Sequence, residues 1–432
     1  MKLNKFFMLG LAGLAFAACS NDDNAVNGGN GREDGNVRVT LSLGKAGTRS
    51  LSQSAANLYN NIDPNNVQVV FYNSQGNYIE MPETVAGKGE NGGDYDNMKA
   101  ISDAFTNLKD GGTSTTPQTL LLKGIPATAT QLYIVTNNPN GAIETTSLNA
   151  AKASVVSLRS QYKDVDVANG ILFSGQNATM TGRGDIPTDV STPATATEDA
   201  VYEVTVELKP VPSRMEIQNV RALTADADWA GAEIASFTVD GFYINQFYPY
   251  GQLDGTQGPE EDRITNGSDP NKYAKNEYEK ITYEQETDFS FMCDEPTTEM
   301  TYATGADGSN IVYAATTNAT GEGDQAVPNW WGYQVMPGVV PHIVVKLHVK
   351  YAGETYEDGN NGELKFLTIV NYTRTDNNSS LGGVARGEVY RIENLDFQVD
   401  DLTDVPYEGT KSISATVRVL PWNPVTVTPE FN

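Results

Sequence analysis

Apolar residues recur at every second position along much of this chain. The first clear case is residues 36–43, where Val37, Val39, Leu41 and Leu43 alternate with Arg38, Thr40 and Ser42. Successive side chains of an extended chain point to opposite faces, so this alternation specifies a strand with one buried face. Other strand-like runs, closed by Gly, Pro, Asn or Asp, stand at 66–73, 119–126, 131–138, 170–176 and 200–208. More follow at 233–247, 310–316, 330–338, 342–351, 364–372 and 387–399. Helical spacing is confined to the first half. Met98, Ile101, Phe105 and Leu108 share one face of 95–108, and a weaker pattern covers 146–162. The expected fold is mainly β: two β-sandwich-like domains in tandem, with a few short helices mostly in the N-terminal one.

A chain of 432 residues has room for two or three domains. Pro210 and Pro212 interrupt an otherwise strand-like stretch at 206–220. Prolines end sheet pairing, so the boundary is expected there, giving domains 50–209 and 210–432. The net charge of −26 repels phosphate backbones and anionic headgroups. Nucleic acid is therefore excluded as a partner, and a membrane is expected only through a lipid anchor. That anchor is suggested by residues 1–18, with Lys2 and Lys5 ahead of an apolar run, Phe6 to Ala17, too short to span a bilayer. The run ends at Phe16-Ala17-Ala18-Cys19, which resembles a bacterial lipobox with Cys19 as the lipidated residue, although Phe16 replaces the usual aliphatic residue. Acylation (palmitate included) would leave Cys293 as the sole free thiol and no intramolecular disulfide.

Between Cys19 and the second strand lies a segment read as a propeptide, residues 19–49. Its Asn-, Gly- and Asp-rich start is a tether, and the strand Val37 to Leu43 follows. The loop Gly44 to Ser50 then sets small residues around Arg49, which suits an extended segment entering a protease cleft. Arg49, before Ser50, is thus one candidate processing site, with Lys45 and Arg32 as competing basic sites. At the other end, residues 412–432 hold two strand-like pieces split by Pro421-Trp422-Asn423-Pro424. Ile413, Ala415, Val417 and Val419 line one face of the first; Val425, Val427 and Phe431 line one face of the second. Such an apolar tail must dock or it invites aggregation.

Taken in order along the chain, these pieces resemble the Bacteroidales fimbrillins, structural subunits of the type V pilus. The resemblance rests on the lipobox with its acidic follow-on, the arginine-terminated propeptide, "QLYIVTNN", "ILFSGQ", "GEVYRIENLDF" and "ATVRVLPWNPVTV". It implies transthyretin-like sandwiches, export as an outer-membrane lipoprotein, and an Arg-specific maturation protease cutting after Arg49. It further implies that the strand of Val37, Val39, Leu41 and Leu43 is then lost, leaving a groove. A donor strand from the next subunit's tail (Ile413, Ala415, Val417, Val419, Trp422, Val425, Val427, Phe431) would fill it. Which of the two tail pieces is the donor stays open. The implied partners are further copies of the chain in a head-to-tail polymer, accessory pilus subunits, and a host or bacterial surface ligand. Alternatives are an anchored surface lipoprotein that binds glycans or host protein, and a tip or accessory subunit.

Other motifs carry less. Arg183-Gly184-Asp185 is expected in a glycine-containing turn. His342 and His348, six residues apart on one strand, are about 20 Å apart and cannot share a metal. The acidic stretches at 258–262 and 357–363 lack the ligand spacing of a calcium loop, and the second reads as a hairpin turn. Trp330, Trp331, Tyr333 and the aromatics of 242–250 read as core rather than a glycan platform. No nucleophile elbow, Cys–His pairing, zinc motif or phosphate loop is present, so neither enzyme activity nor a cofactor or metal is expected.

Overall fold

The alternating runs do become strands. The computed structural model describes residues 34–43, 62–109, 118–161, 178–195, 199–223, 233–264, 293–294, 301–304, 310–314, 317–318, 327–328, 331–357, 359–406 and 413–421. The first half carries β1 (Gly35–Leu43), β2 (Val67–Tyr72), β3 (Tyr78–Ile79), β4 (Thr84–Val85), β5 (Tyr95–Asp96), helix α1 (Asn97–Lys109), β6 (Gln118–Ile125) and β7 (Gln131–Thr136). Helix α2 (Leu148–Lys152), β8 (Val155–Ser157), β9 (Met180–Asp185) and β10 (Val201–Pro210) complete it. Helix α1 starts where Asp96 accepts the Lys99 N–H at 2.8 Å, an N-cap bond, and buries Ile101, Ala104 and Phe105. The weaker helical pattern at 146–162 yields the five residues of α2, capped by Ser147, and a single 3-10 turn at Arg159–Gln161. Val155 and Val156, β-branched, leave the helix and pair as β8 instead. The strand expected at 170–176 lies outside the described residues.

Seven strands form the first sheet in the order β3-β2-β7-β9-β10-β1-β6. β10 changes partner along its length: residues 201–208 run parallel to β1, while Lys209 and Pro210 pair with β9. This transfer curls the sheet back over itself. It also explains Arg183-Gly184-Asp185, which is a strand and not a turn: all three residues lie in β9, opposite Tyr133, Leu132 and Gln131 of β7. A Cβ on Gly184 would stand 2.6 Å from Val204 Cγ2, and one on Gly182 2.6 Å from Val206 Cγ1. The glycines let β10 cross close over β9. Arg183 and Asp185 bond each other at 2.7 Å.

Beyond Pro212 come β11 (Ser213–Leu223), β12 (Ile234–Asn245), β13 (Tyr250–Gln252), β14 (Cys293–Asp294), β15 (Thr301–Thr304), β16 (Asn310–Ala314), β17 (Thr317–Asn318), β18 (Val327–Pro328) and β19 (Trp331–Val335). The last four are β20 (His342–Tyr351), β21 (Glu363–Arg374), β22 (Glu388–Phe397) and β23 (Ile413–Pro421). The second sheet runs β14-β12-β20-β21-β23-β22-β11-β16-β15, with β19 also on β11. β20 and β21 form the expected hairpin, and Gly359 and Gly362 take positive φ in the connecting loop. His342 and His348 sit on β20 as sheet residues. Burial lowers the His342 pKa to about 4, and His348 Nδ1 contacts Asp240.

Two apolar cores result. One lies within the first half and gathers Val37, Val39, Leu41, Phe71, Phe105, Leu120, Leu122 and Val206. The other fills the second half and also takes in Tyr72, Tyr133, Leu148 and Val156 from the first. β8 pairs with β13 across the same junction. Tyr333, Phe242, Phe247 and Tyr248 are buried in this second core, the Tyr333 hydroxyl donating to the Phe242 carbonyl at 3.2 Å.

Candidate functional site

The sequence singles out the first strand, and the structure shows where it sits. β1 is flanked along its length on both sides. On one side it runs parallel to β10, with Val37, Val39 and Leu41 opposite Tyr202, Val204 and Val206. On the other it runs antiparallel to β6, with Val37 and Val39 opposite Leu122 and Leu120. Val37, Val39 and Leu41 are at most 1% exposed, so they plug the first core between two walls of apolar residues. The polar face is outside, where Arg38 and Glu203 pair at 3.0 Å. The side chain of Leu43 lies outside the described ones.

β1 thus fills the space between β10 and β6, and among the described residues β6 has no other strand partner in this sheet. Burying three apolar side chains at roughly 1.5–3 kcal/mol each contributes about 4.5–9 kcal/mol. Removing the strand would bare Leu120, Leu122, Tyr202, Val204 and Val206 and leave main-chain groups of β6 and β10 unpaired. That state is costly and is repaired by any strand of matching pattern. The walls were present in the sequence as alternating runs, but nothing in them named β1 as their common neighbour. A parallel pairing between residues 36–43 and 201–208 spans too much chain to be read from local pattern.

At the other end, β23 is seated in the second sheet of its own chain. Residues 413–417 run parallel to β21, and Arg418 to Pro421 run antiparallel to β22. β23 therefore passes from one ladder to the other and ties β21 to β22. Ala415 and Val417, expected on a donor face, are buried in the second core. Ile413 and Val419 lie on the same strand. Trp422, Val425, Val427 and Phe431 lie outside the described residues, as do Cys19, Arg49 and Ser50. Among the described residues, no group of three or more His, Cys, Asp or Glu is arranged to hold a metal ion. No described helix is long and apolar enough to cross a membrane.

No family model matches the chain, and no curated protein matches it. Solved structures similar to it include a fimbrilin from Porphyromonas gingivalis W83, at 12% identity and a TM-score of 0.45, covering 92% of this chain and all (100%) of that one. A Parabacteroides distasonis ATCC 8503 protein assigned to cell adhesion is similar at 15% identity and a TM-score of 0.44, covering 91% and 98% of the two chains. A fimbrial assembly protein from the same strain is similar at 11% identity and a TM-score of 0.31, covering 83% and 90%.

Proposed function

We propose that this chain is a subunit of a surface fimbrium, made as a lipoprotein on Cys19 and polymerised by strand replacement. The observation that carries the reading is the double-sided seat of β1 directly upstream of Arg49. A strand held only by non-covalent ladders, ahead of a basic loop, can be released by one peptide-bond cleavage. The vacated seat then takes an apolar alternating strand from another copy. The contact is head-to-tail and does not close on itself, so it propagates as a filament.

The position of β23 bears on which tail piece is donated. Withdrawing Ile413 to Pro421 would undo the link between β21 and β22 and empty Ala415 and Val417 from the core. In residues 422–432, Val425, Val427 and Phe431 repeat the period of Val37, Val39 and Leu41. Of the two tail pieces, the scheme takes 422–432 as the donor, with β23 as its base. The Arg-specific protease and an accessory or surface ligand are the partners this scheme needs.

Two variants and one sequencing experiment separate the steps. Arg49→Ala is expected to leave lipid-anchored monomer and no filament, whereas normal fimbriae from it would remove cleavage at Arg49 from the scheme. Deleting residues 422–432 should give a folded, cleaved monomer that does not polymerise. SDS-resistant ladders from that deletion would move the donor elsewhere. N-terminal sequencing of the protein sheared from cells should begin at Ser50. An acylated Cys19 would favour the second reading, an anchored surface lipoprotein.

A further inference from the structure

The far edge of the first sheet is left open in a particular way. β3 pairs with β2 only at Phe71 and Tyr72, opposite Ile79 and Tyr78. The Asn73 N–H donates to the Asn77 carbonyl at 2.9 Å. Bonded pairs recur every second residue in an antiparallel ladder, so the N–H and C=O groups of Val67 and Val69 point to the same side as those of Phe71. If the ladder continued, Met81 would face Val69 and Glu83 would face Val67. It does not continue, because the chain at 82–83 is held elsewhere. Asn97, fully buried, donates its side-chain amide to the Pro82 carbonyl at 2.7 Å and to the Lys123 carbonyl at 3.0 Å. Its Oδ1 accepts the Lys123 N–H at 2.9 Å, and its own N–H donates to the Glu83 carbonyl at 2.8 Å.

The result is a half-open cleft of about 270 Å³ along the Val67–Val70 edge. Met81, Met98, Ile101 and Ile143 line it with apolar surface, and Glu80 and Glu83 add two carboxylates. Among the described residues, Val67–Val70 has a strand partner on the β7 side only. We propose that this cleft is a second strand-docking site, distinct from the seat of β1, and that it takes an extended peptide segment of another polypeptide. Main-chain donors and acceptors repeating every second residue along an edge are matched by another extended backbone rather than by a compact small molecule. The apolar lining calls for apolar side chains at alternate positions of that segment. Glu80 and Glu83 call for a lysine or arginine among the others. The proposal does not rest on the fimbrial reading.

A fluorescein-labelled peptide copying residues 36–45 (NVRVTLSLGK) has this chemistry and serves as the probe, with a scrambled peptide as control. Titrated with the full chain, in which β1 occupies its own seat, it should show saturable one-to-one binding by anisotropy. Val69→Pro removes the N–H on the open side and spares the ladder to β7, so it should weaken binding roughly tenfold or more. Glu80→Lys with Glu83→Lys should weaken it too. In the wild-type chain, hydrogen exchange should show the Val67 and Val69 amides gaining protection with peptide, which decides the matter even if Val69→Pro fails to fold. Absence of binding would overturn the proposal. So would binding that Val69→Pro leaves intact, or protection confined to β6 and β10, since the peptide would then be exchanging with β1.

Discussion

Glu216 is the shared anion of a buried ion cluster with Arg214 and Arg391. It is fully buried, and it accepts from Arg214 Nε at 2.8 Å and from Arg391 Nε and Nη2 at 2.9 and 2.8 Å. Gly332 is required beside it, because a Cβ there would stand 2.0 Å from Arg214 Nη2. Removing the carboxylate leaves two buried guanidinium groups without their shared anion. Glu216→Ala is expected to destabilise the chain by about 3–5 kcal/mol, read from the denaturant midpoint. His342 makes an electrostatic demand of known sign. Burial and then Arg263 lower its pKa to about 4 from 6.5. Between those values the unfolded chain binds the proton and the folded chain does not. Stability is therefore complete above about pH 6.5 and falls as the pH drops toward 4. Going from pH 7 to 4.5 should cost the wild type about 2 kcal/mol more than it costs His342→Gln. Equal losses in the two proteins would assign the acid sensitivity to other groups.

Among the elements, β9 shows how a residue pattern misleads without its partners. Thr181-Gly182-Arg183-Gly184-Asp185 has the composition of a turn, and local chemistry alone reads it so. Its place between β7 and β10 reverses that, because the glycines serve packing and not bending. Gly184→Ala should therefore destabilise by about 1–3 kcal/mol through overpacking on Val204 and Val206, with no gain from reduced backbone freedom. A neutral or stabilising result in thermal melts would contradict the close crossing. The elements that were legible share one property: their period is set by their own side chains. β1 and β10 alternate strictly enough to declare a buried face, β7 declares two through the unbroken apolar run Leu132 to Val135, and α1 declares its own through Met98, Ile101 and Phe105. What local pattern does not hold is pairing. β1 lies between strands more than 70 residues (β6) and about 160 residues (β10) further on, and β23 reads as a free tail because its partners β21 and β22 are themselves already good strands. β1 of the candidate site was legible as a strand, but its two-sided seat was not.

At the scale of the whole molecule, the two strands that matter to the proposed function stand in different sheets. β1 belongs to the first, and β23, the base of the tail, to the second. Any pull along a filament built this way enters one sheet and leaves by the other, so it crosses the junction between the halves. Arg386 sits at that junction. Its guanidinium donates to the Leu253 carbonyl at 3.3 Å, to the Thr181 carbonyl and hydroxyl at 3.1 and 2.7 Å, and to the Lys209 carbonyl at 2.7 Å. Thr181 and Lys209 belong to the first sheet, Leu253 and Arg386 to the second half. The Leu158 N–H to Pro249 carbonyl bond at 2.7 Å and the Leu253 N–H to Ser154 carbonyl bond at 3.0 Å run beside it. Hydrogen bonds to a charged group contribute about 1.5–3 kcal/mol each when removal leaves a partner unsatisfied. Arg386→Ala should then weaken the coupling more than either core. Calorimetry of the wild type should show one unfolding transition and that of Arg386→Ala two, the lower one belonging to the half with the weaker core. A single transition at unchanged temperature would mean that the shared apolar core, through Tyr72, Tyr133 and Leu148, holds the halves together without the arginine.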